Sequence, residues 1–233
     1  PASLVHLKGF SIDGGYRYNS YEDLGGSRDY SISVVDGKPD SMFMAGVTYV
    51  NSETKLNGVL TSEEDYILSF GGFVLQNLSL GGQIQRWSQR PPNAEEKVYY
   101  QFSAGLLYIV EENFGVGLVS YNMAADHEPQ LRPEIGMGVH YIYEPIFRAR
   151  FDVTYPTKYN PEKKGIIMVG TETLFISGLK PRLGAKFDDV AKKTFLTAGI
   201  GWDGPKFSIN YAFEKDVRTK DQHRQSFDLN LLF

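Results

Sequence analysis

The sequence contains no cysteine. A disulfide scaffold, a thiolate metal site and a lipid-modified N-terminal cysteine are excluded for this chain on that ground. It also lacks any apolar run approaching the roughly 20 residues that a helix needs to cross a bilayer, which excludes a helical membrane protein. No signal peptide is legible, because the chain opens at Pro1 with neither a basic nor an apolar leader region, and it reads as a mature or trimmed form. Basic stripes are missing too. At a net charge of −4 there is no surface prepared for phosphates, so nucleic acid is not expected as a partner.

Catalytic constellations are equally sparse. His6, His127, His140 and His223 are scattered without metal-ligand spacing. Ser120 and Ser208 lie outside any nucleophile-elbow pattern. Gly71-Gly72 and Gly81-Gly82 sit inside strand patterns and open no helix, so bends or close packing explain them better than a phosphate loop. Glu63, Glu64 and Asp65 read as solvated loop acids. The expectation is a protein that is not an enzyme and that carries no cofactor and no metal.

Aromatic residues are plentiful, at 14%, with 15 Tyr and 15 Phe, and there are 24 glycines. That combination accompanies closed antiparallel sheets. Helical spacing is almost absent, whereas alternation with period 2 runs from end to end. Phe207, Ile209, Tyr211 and Phe213 alternate with Ser208, Asn210, Ala212 and Glu214. Phe147, Ala149, Phe151, Val153 and Tyr155 alternate with Arg148, Arg150, Asp152 and Thr154, and Leu183, Ala185 and Phe187 with Arg182, Gly184 and Lys186. Successive side chains of a strand point to opposite faces, so each strand has one apolar face and one face that is charged, polar or glycine.

The connections fall into two sets. Tight ones are expected at Asp36-Gly37-Lys38-Pro39, Gln76-Asn77, Glu111-Glu112-Asn113, Glu144-Pro145, Ser177-Gly178 and Asp203-Gly204. Long polar ones are expected at 21–27, 53–63, 88–96, 123–133, 158–164, 188–193 and 215–225. Strict alternation of short and long is the pattern of a barrel with short turns at one rim and longer loops at the other. The fold class read from this is all-β: a transmembrane, antiparallel, up-and-down β-barrel of about 14 strands, with twelve as the alternative. It forms one domain over 1–233, a short N-terminal segment at 1–7 followed by the barrel at 8–233.

A soluble sandwich or small barrel fills its interior with apolar side chains. Here the face opposite the aromatics carries Arg148, Arg150, Glu172, Lys180, Arg182, Lys186 and Glu214, which suits a wet lumen. Aromatics gather near strand ends, among them Tyr49, Tyr66, Tyr100, Tyr108, Tyr141, Tyr143, Tyr155, Trp202 and Tyr211, in the manner of interfacial girdles. The inward charges are the candidate functional group. One expectation is that they close the lumen with a salt-bridge network, since opposite charges on neighbouring strands pair across a sheet. The rival is a selectivity ring for anionic solutes. Small outward residues such as Gly72, Gly82 and Ala104 suggest a third role, an oligomer packed around lipid.

In the final strand Phe227, Leu229, Leu231 and Phe233 alternate and the chain stops on the aromatic. This resembles the C-terminal signal by which the bacterial barrel-assembly machinery recognises its clients, and it implies the outer membrane. Pro1-Ala2-Ser3-Leu4 resembles the end of the motif that opens the FadL/PorV-like family of outer-membrane β-barrels. Gly165 to Phe187, with Leu179-Lys180-Pro181-Arg182-Leu183-Gly184, resembles a hairpin of that family. Thr197-Ala198-Gly199-Ile200-Gly201 followed by Tyr211-Ala212-Phe213 resembles its penultimate hairpin. The resemblance implies fourteen strands and a non-enzymatic role in handling lipids or hydrophobic compounds, or assembly as an oligomer around lipid. A porin-like channel for small polar or anionic solutes is the alternative. Expected partners are membrane lipid, the assembly machinery and further copies of the chain. No ligand-binding residue is carried over, because the family's transporters hold their ligand in an apolar lumen and this lumen reads as polar.

Overall fold

In a computed structural model of the chain the described residues are 9–21, 25–37, 43–92, 94–124, 132–143, 146–157, 165–175, 178–218 and 222–233. They form fourteen strands: β1 Gly9–Tyr21, β2 Gly25–Gly37, β3 Phe43–Leu56, β4 Val59–Leu75, β5 Leu78–Arg90, β6 Lys97–Glu111, β7 Phe114–Tyr121, β8 Glu134–Tyr143, β9 Phe147–Pro156, β10 Ile166–Thr173, β11 Leu179–Asp188, β12 Lys193–Asp203, β13 Phe207–Asp216 and β14 Gln222–Leu232. Each pairs antiparallel with its sequence neighbours, and β1 pairs with β14, so the sheet closes into an up-and-down barrel. The fourteen-strand expectation holds. The expected N-terminal segment 1–7 and the turn residues Lys38-Pro39, Glu144-Pro145 and Ser177 lie outside the described residues.

Closure removes both sheet edges and with them the unpaired N–H and C=O groups that an open sheet exposes. The seam is sealed by eleven consecutive residue pairs, from Ser11↔Leu232 to Tyr21↔Gln222. Below them the Phe233 N–H donates to the Phe10 carbonyl at 2.9 Å, and the two rings pack at 5.9 Å. Fourteen strands about 4.8 Å apart, tilted by roughly 40°, give a wall-to-wall diameter on the order of 28 Å.

Burial shows which face is which. A soluble domain of this size buries a sizeable apolar core, yet the buried apolar residues described here are Val35, Met44, Trp87 and Phe195. Large apolar side chains instead stand on the outer wall, with Leu183 at 66% exposure, Tyr100 at 67% and Met137 at 58%. Of the nine buried polar residues described, Ser11, Asn19, Ser27, Ser79, Gln101, Ser103 and Asp216 lie on the inner face, and Ser88 and Thr194 lie on the outer one. The barrel is inside-out relative to a soluble protein.

Three sequence expectations need correction. The connection expected at 53–63 is a two-residue hairpin. Asn57 and Gly58 both have positive φ, 51° and 81°, the geometry of a type I′ turn, and β4 begins at Val59. Glu63 and Asp65 are therefore strand residues, not loop acids. Likewise β1 runs to Tyr21, β2 begins at Gly25, β13 reaches Asp216 and β14 begins at Gln222, so the loops expected at 21–27 and 215–225 are shorter. Short and long connections thus do not alternate strictly. What alternates is the rim on which they lie. Strand length divides the barrel in two: β1 to β6 have 13 to 17 residues, and β7 to β14 have 8 to 11. The polar residues near the loop rim, such as Glu53, Glu63 and Glu64, continue the pairing because both faces are wet there, so polarity does not end the strand.

Candidate functional site: the lumen wall

Arg148, Arg150, Glu172, Lys180, Arg182, Lys186 and Glu214 stand on the inner face of the sheet, and each meets an opposite charge. Glu172 on β10 lies between Arg148 on β9, at 3.3 Å, and Arg182 on β11, whose Nε donates at 2.5 Å. The register sets this trio, since Glu172 is paired with Arg148 on one side and Arg182 on the other. Arg150 meets Asp152 at 2.6 Å, Lys186 meets Asp188 at 3.8 Å, and Lys180 is ion-paired with Asp203. Lys186 also stands over the Phe195 ring, 5.4 Å from its centre. Glu214 meets Arg224 at 3.3 Å and accepts from the Thr197 hydroxyl.

These contacts extend into two bands around the wall. In the lower band Arg182 also donates through a guanidinium NH₂ group to Asn210 at 2.9 Å, reaching past β12 altogether. It can do so because residue 201 is glycine: a Cβ there would sit 2.6 Å from the Asn210 oxygen and 3.4 Å from the guanidinium. The band continues to Asp228 on β14, within electrostatic reach of both Arg182 and Arg17, and Arg17 meets Asp29 on β2 at 3.9 Å. In the upper band Thr197, Glu214, Arg224, Asn19 and Ser27 join β12 through to β2. Arg224 donates to Asn19, and Asn19 donates to Ser27 at 2.6 Å.

The bands run along the wall and not across the bore. Among the described residues each strand's backbone approaches only its two neighbours, and the Arg182–Asn210 hydrogen bond reaches one strand further along the same wall. Side chains lie flat over glycines of the adjacent strand. The Asp152 carboxylate fills the place of a Cβ at Gly138, the His140 ring lies on Gly115, and Asp228 lies beside Gly15. His140 therefore points inward. His223 faces out between Tyr18 and Phe213, and among the described residues there is no His, Asp or Glu group that could hold a metal.

The opposite wall differs. Inward positions of β4 to β8 include Gly71, Gly81, Gly105, Gly117 and Gly138, with Ser69, Gln83 and Ser103. The acids on β4, Glu63 and Asp65, accept hydrogen bonds at 2.8 Å from the amides of Gln89 and Gln85. Sequence reading missed them because it placed them in a loop. The signal was there: Thr61, Glu63, Asp65 and Ile67 continue one face of a strand that Asn57-Gly58 opens. It also missed Asp203, Arg224 and Asn19, whose partners are far away in the sequence.

On the outer wall, Phe227, Leu229 and Leu231 stand in register with Tyr16, Gly14 and Ile12, and Asp228 and Asn230 face the lumen between them. Phe233 is 73% exposed at the turn rim. Gly82, expected to leave a flat outer patch, lies beneath the Phe70 ring.

A closed barrel of fourteen antiparallel strands, with an apolar exterior and a charged interior, is the architecture of outer-membrane β-barrels. By sequence the chain matches no family model and no curated relative. By structure it is similar to the CymD monoaromatic hydrocarbon channel, with TM-score 0.79 at 13% identity over 100% of this chain and 91% of that one. It is also similar to the toluene transporter TodX of Pseudomonas putida, with TM-score 0.67 at 12% identity over 99% and 90%. The KdgM porin follows at 0.52 and 11%, over 96% and 99%.

Proposed function

We propose that this chain is a non-enzymatic outer-membrane channel that passes small polar solutes through a water-filled lumen. The observation that carries this reading is the inner wall itself: charged and amide side chains lie along it, folded over glycines, and their ion pairs join residues of the same or adjacent strands. Water in the bore solvates these groups, while the exposed apolar exterior suits lipid. The short-turn rim, which also carries Gly9 and Phe233, faces the periplasm, and the longer loops face outward.

The charges argue against an anion-selective ring. Arg148, Arg150, Lys180, Arg182 and Lys186 all have carboxylate partners, whereas Glu63 and Asp65 are held by amides. Carboxylates without a paired cation favour cations in a pore. In planar bilayers the protein is expected to give steady conductance steps with a mild cation preference in a potassium chloride gradient. The double variant Glu63→Gln, Asp65→Asn is expected to abolish that preference while conductance persists. Electrical silence of the folded, inserted protein would overturn the open-lumen reading in favour of closure by the salt-bridge bands. A second reading, passage of hydrophobic compounds in the FadL-like manner, has the likeness to CymD and TodX behind it. Hydrocarbon uptake into vesicles without ion conductance would favour it.

A further inference from the structure

The outer wall carries one feature that a lumen function does not use. Across β2 to β6 the outward residues form three register rows. The lowest is Val34, Val47, Leu68, Ile84 and Phe102, wholly apolar. The highest is Tyr30, Asn51, Glu64, Ser88 and Val98, mostly polar. Between them runs Ile32, Tyr49, Tyr66, Arg86 and Tyr100. Arg86 thus sits on the membrane side of the wall, at the height where the face changes from apolar to polar.

Its surroundings are built for a cation. The guanidinium lies over the Tyr66 ring, 5.7 Å from its centre, and Tyr66 packs on Tyr49 at 5.0 Å. Tyr100, paired with Arg86 in register, is 67% exposed on the other side. Together with Val47, Leu68 and Ile84, the residues Tyr66, Arg86 and Tyr100 line a shallow trough with an apolar floor and the guanidinium at its upper end. The ion pair of Arg86 to Glu96 spans 3.9 Å, a Coulombic contact without a hydrogen bond, so that pair leaves the N–H fork unspent. An arginine facing lipid is costly at the midplane and is tolerated near an interface, where a planar guanidinium can hold a phosphate through two parallel hydrogen bonds.

We propose that Tyr66, Arg86 and Tyr100 form a binding site for one phosphate-bearing anionic lipid of the leaflet at the loop rim. Arg86 and the phenol hydroxyls take the headgroup phosphate, and Val47, Leu68 and Ile84 take the first part of an acyl chain. Charge complementarity selects the occupant: the trough joins an apolar floor to a single cation, and an anionic lipid joins an acyl chain to a single phosphate.

This inference rests on the membrane reading above. Native mass spectrometry of the detergent-extracted full chain, titrated with phosphatidylglycerol or phosphatidylcholine, tests it. Retention of phosphatidylglycerol is expected to exceed that of phosphatidylcholine, and Arg86→Gln is expected to lower it about fivefold, one basic residue's worth of attraction to an anionic surface. Arg86→Lys, which keeps the charge and loses the fork, is expected to fall between. Equal retention of the two lipids by the native chain, or unchanged phosphatidylglycerol retention in a folded Arg86→Gln variant, overturns the site. Flotation with vesicles and channel recordings on the same preparations separate the two readings. A protein that inserts and conducts but shows no lipid preference loses only the lipid site, whereas one that never enters vesicles loses both.

Discussion

Leu183→Arg is expected to destabilise the inserted barrel by about 2–4 kcal/mol, the cost of an arginine on a lipid-facing wall at the bilayer midplane. Leu183 is the fifth of ten residues in β11 and is 66% exposed on the outer face, between Thr171 and Ala198 in register. An exposed leucine on a soluble protein tolerates the same change within about 0.5 kcal/mol. The two interpretations of this wall therefore differ by several-fold in the expected effect. Urea titration of folding into lipid vesicles, followed by the heat-sensitive electrophoretic mobility of the folded barrel, measures it. Gln83→Arg is the matched control: Gln83 faces the lumen between Ser69 and Ser103, and a charge there stays in water. Equal tolerance of both variants would sink the lipid-facing assignment of the exterior.

Gly178→Ala is expected to cost at least about 2 kcal/mol, or to prevent folding. Two independent penalties meet at this position. Its φ is +78°, where a residue with a Cβ pays roughly 1–2 kcal/mol. The Cβ would also overlap the Asp203 carbonyl oxygen of the next turn on the same rim. Nor can the turn give way readily, because the Gly178 N–H donates to Phe175 and its carbonyl accepts from Asp203, both at 2.9 Å. Gly58 isolates the first penalty. It has φ of +81° but nothing within 4 Å of a Cβ, so Gly58→Ala is expected to lose only about 1–2 kcal/mol in the same titration. If the two variants behave alike, the packing of Gly178 against Asp203 is not as described.

The barrel was legible in the sequence because a wall between lipid and water imposes the same period of 2 on every strand. Phe207 to Phe213 against Ser208 to Glu214 shows this without ambiguity. The signal fails where both faces are wet. Glu53, Lys55, Glu63 and Glu64 read as loop because charged residues interrupt the apolar alternation near the rim, although Asn57-Gly58 between them specifies a hairpin. The lumen charges were legible as a set for the same periodic reason, but their wiring was only partly so. Arg182 with Glu172 follows from adjacent strands. Arg182 with Asn210 needs the gap that Gly201 leaves, and Arg224 with Asn19 needs the barrel to be closed, since those residues are 205 positions apart. The cation at Arg86 went unremarked because its meaning comes from the rows above and below it, which belong to four other strands.

The seam between β1 and β14 carries one more consequence. Gly9 lies against the Phe233 carbonyl, and the pairing along the seam is of the same antiparallel kind as that at every other strand boundary. The wall is therefore a ring in which sequence order and spatial order coincide all the way round, with no privileged first strand. Opened at the tip formed by Asn57 and Gly58 and rejoined between Phe233 and Gly9, a circularly permuted chain would lay down the same fourteen strands beside the same neighbours. The fold is specified by who stands next to whom, and connectivity is only one of several ways to arrange it.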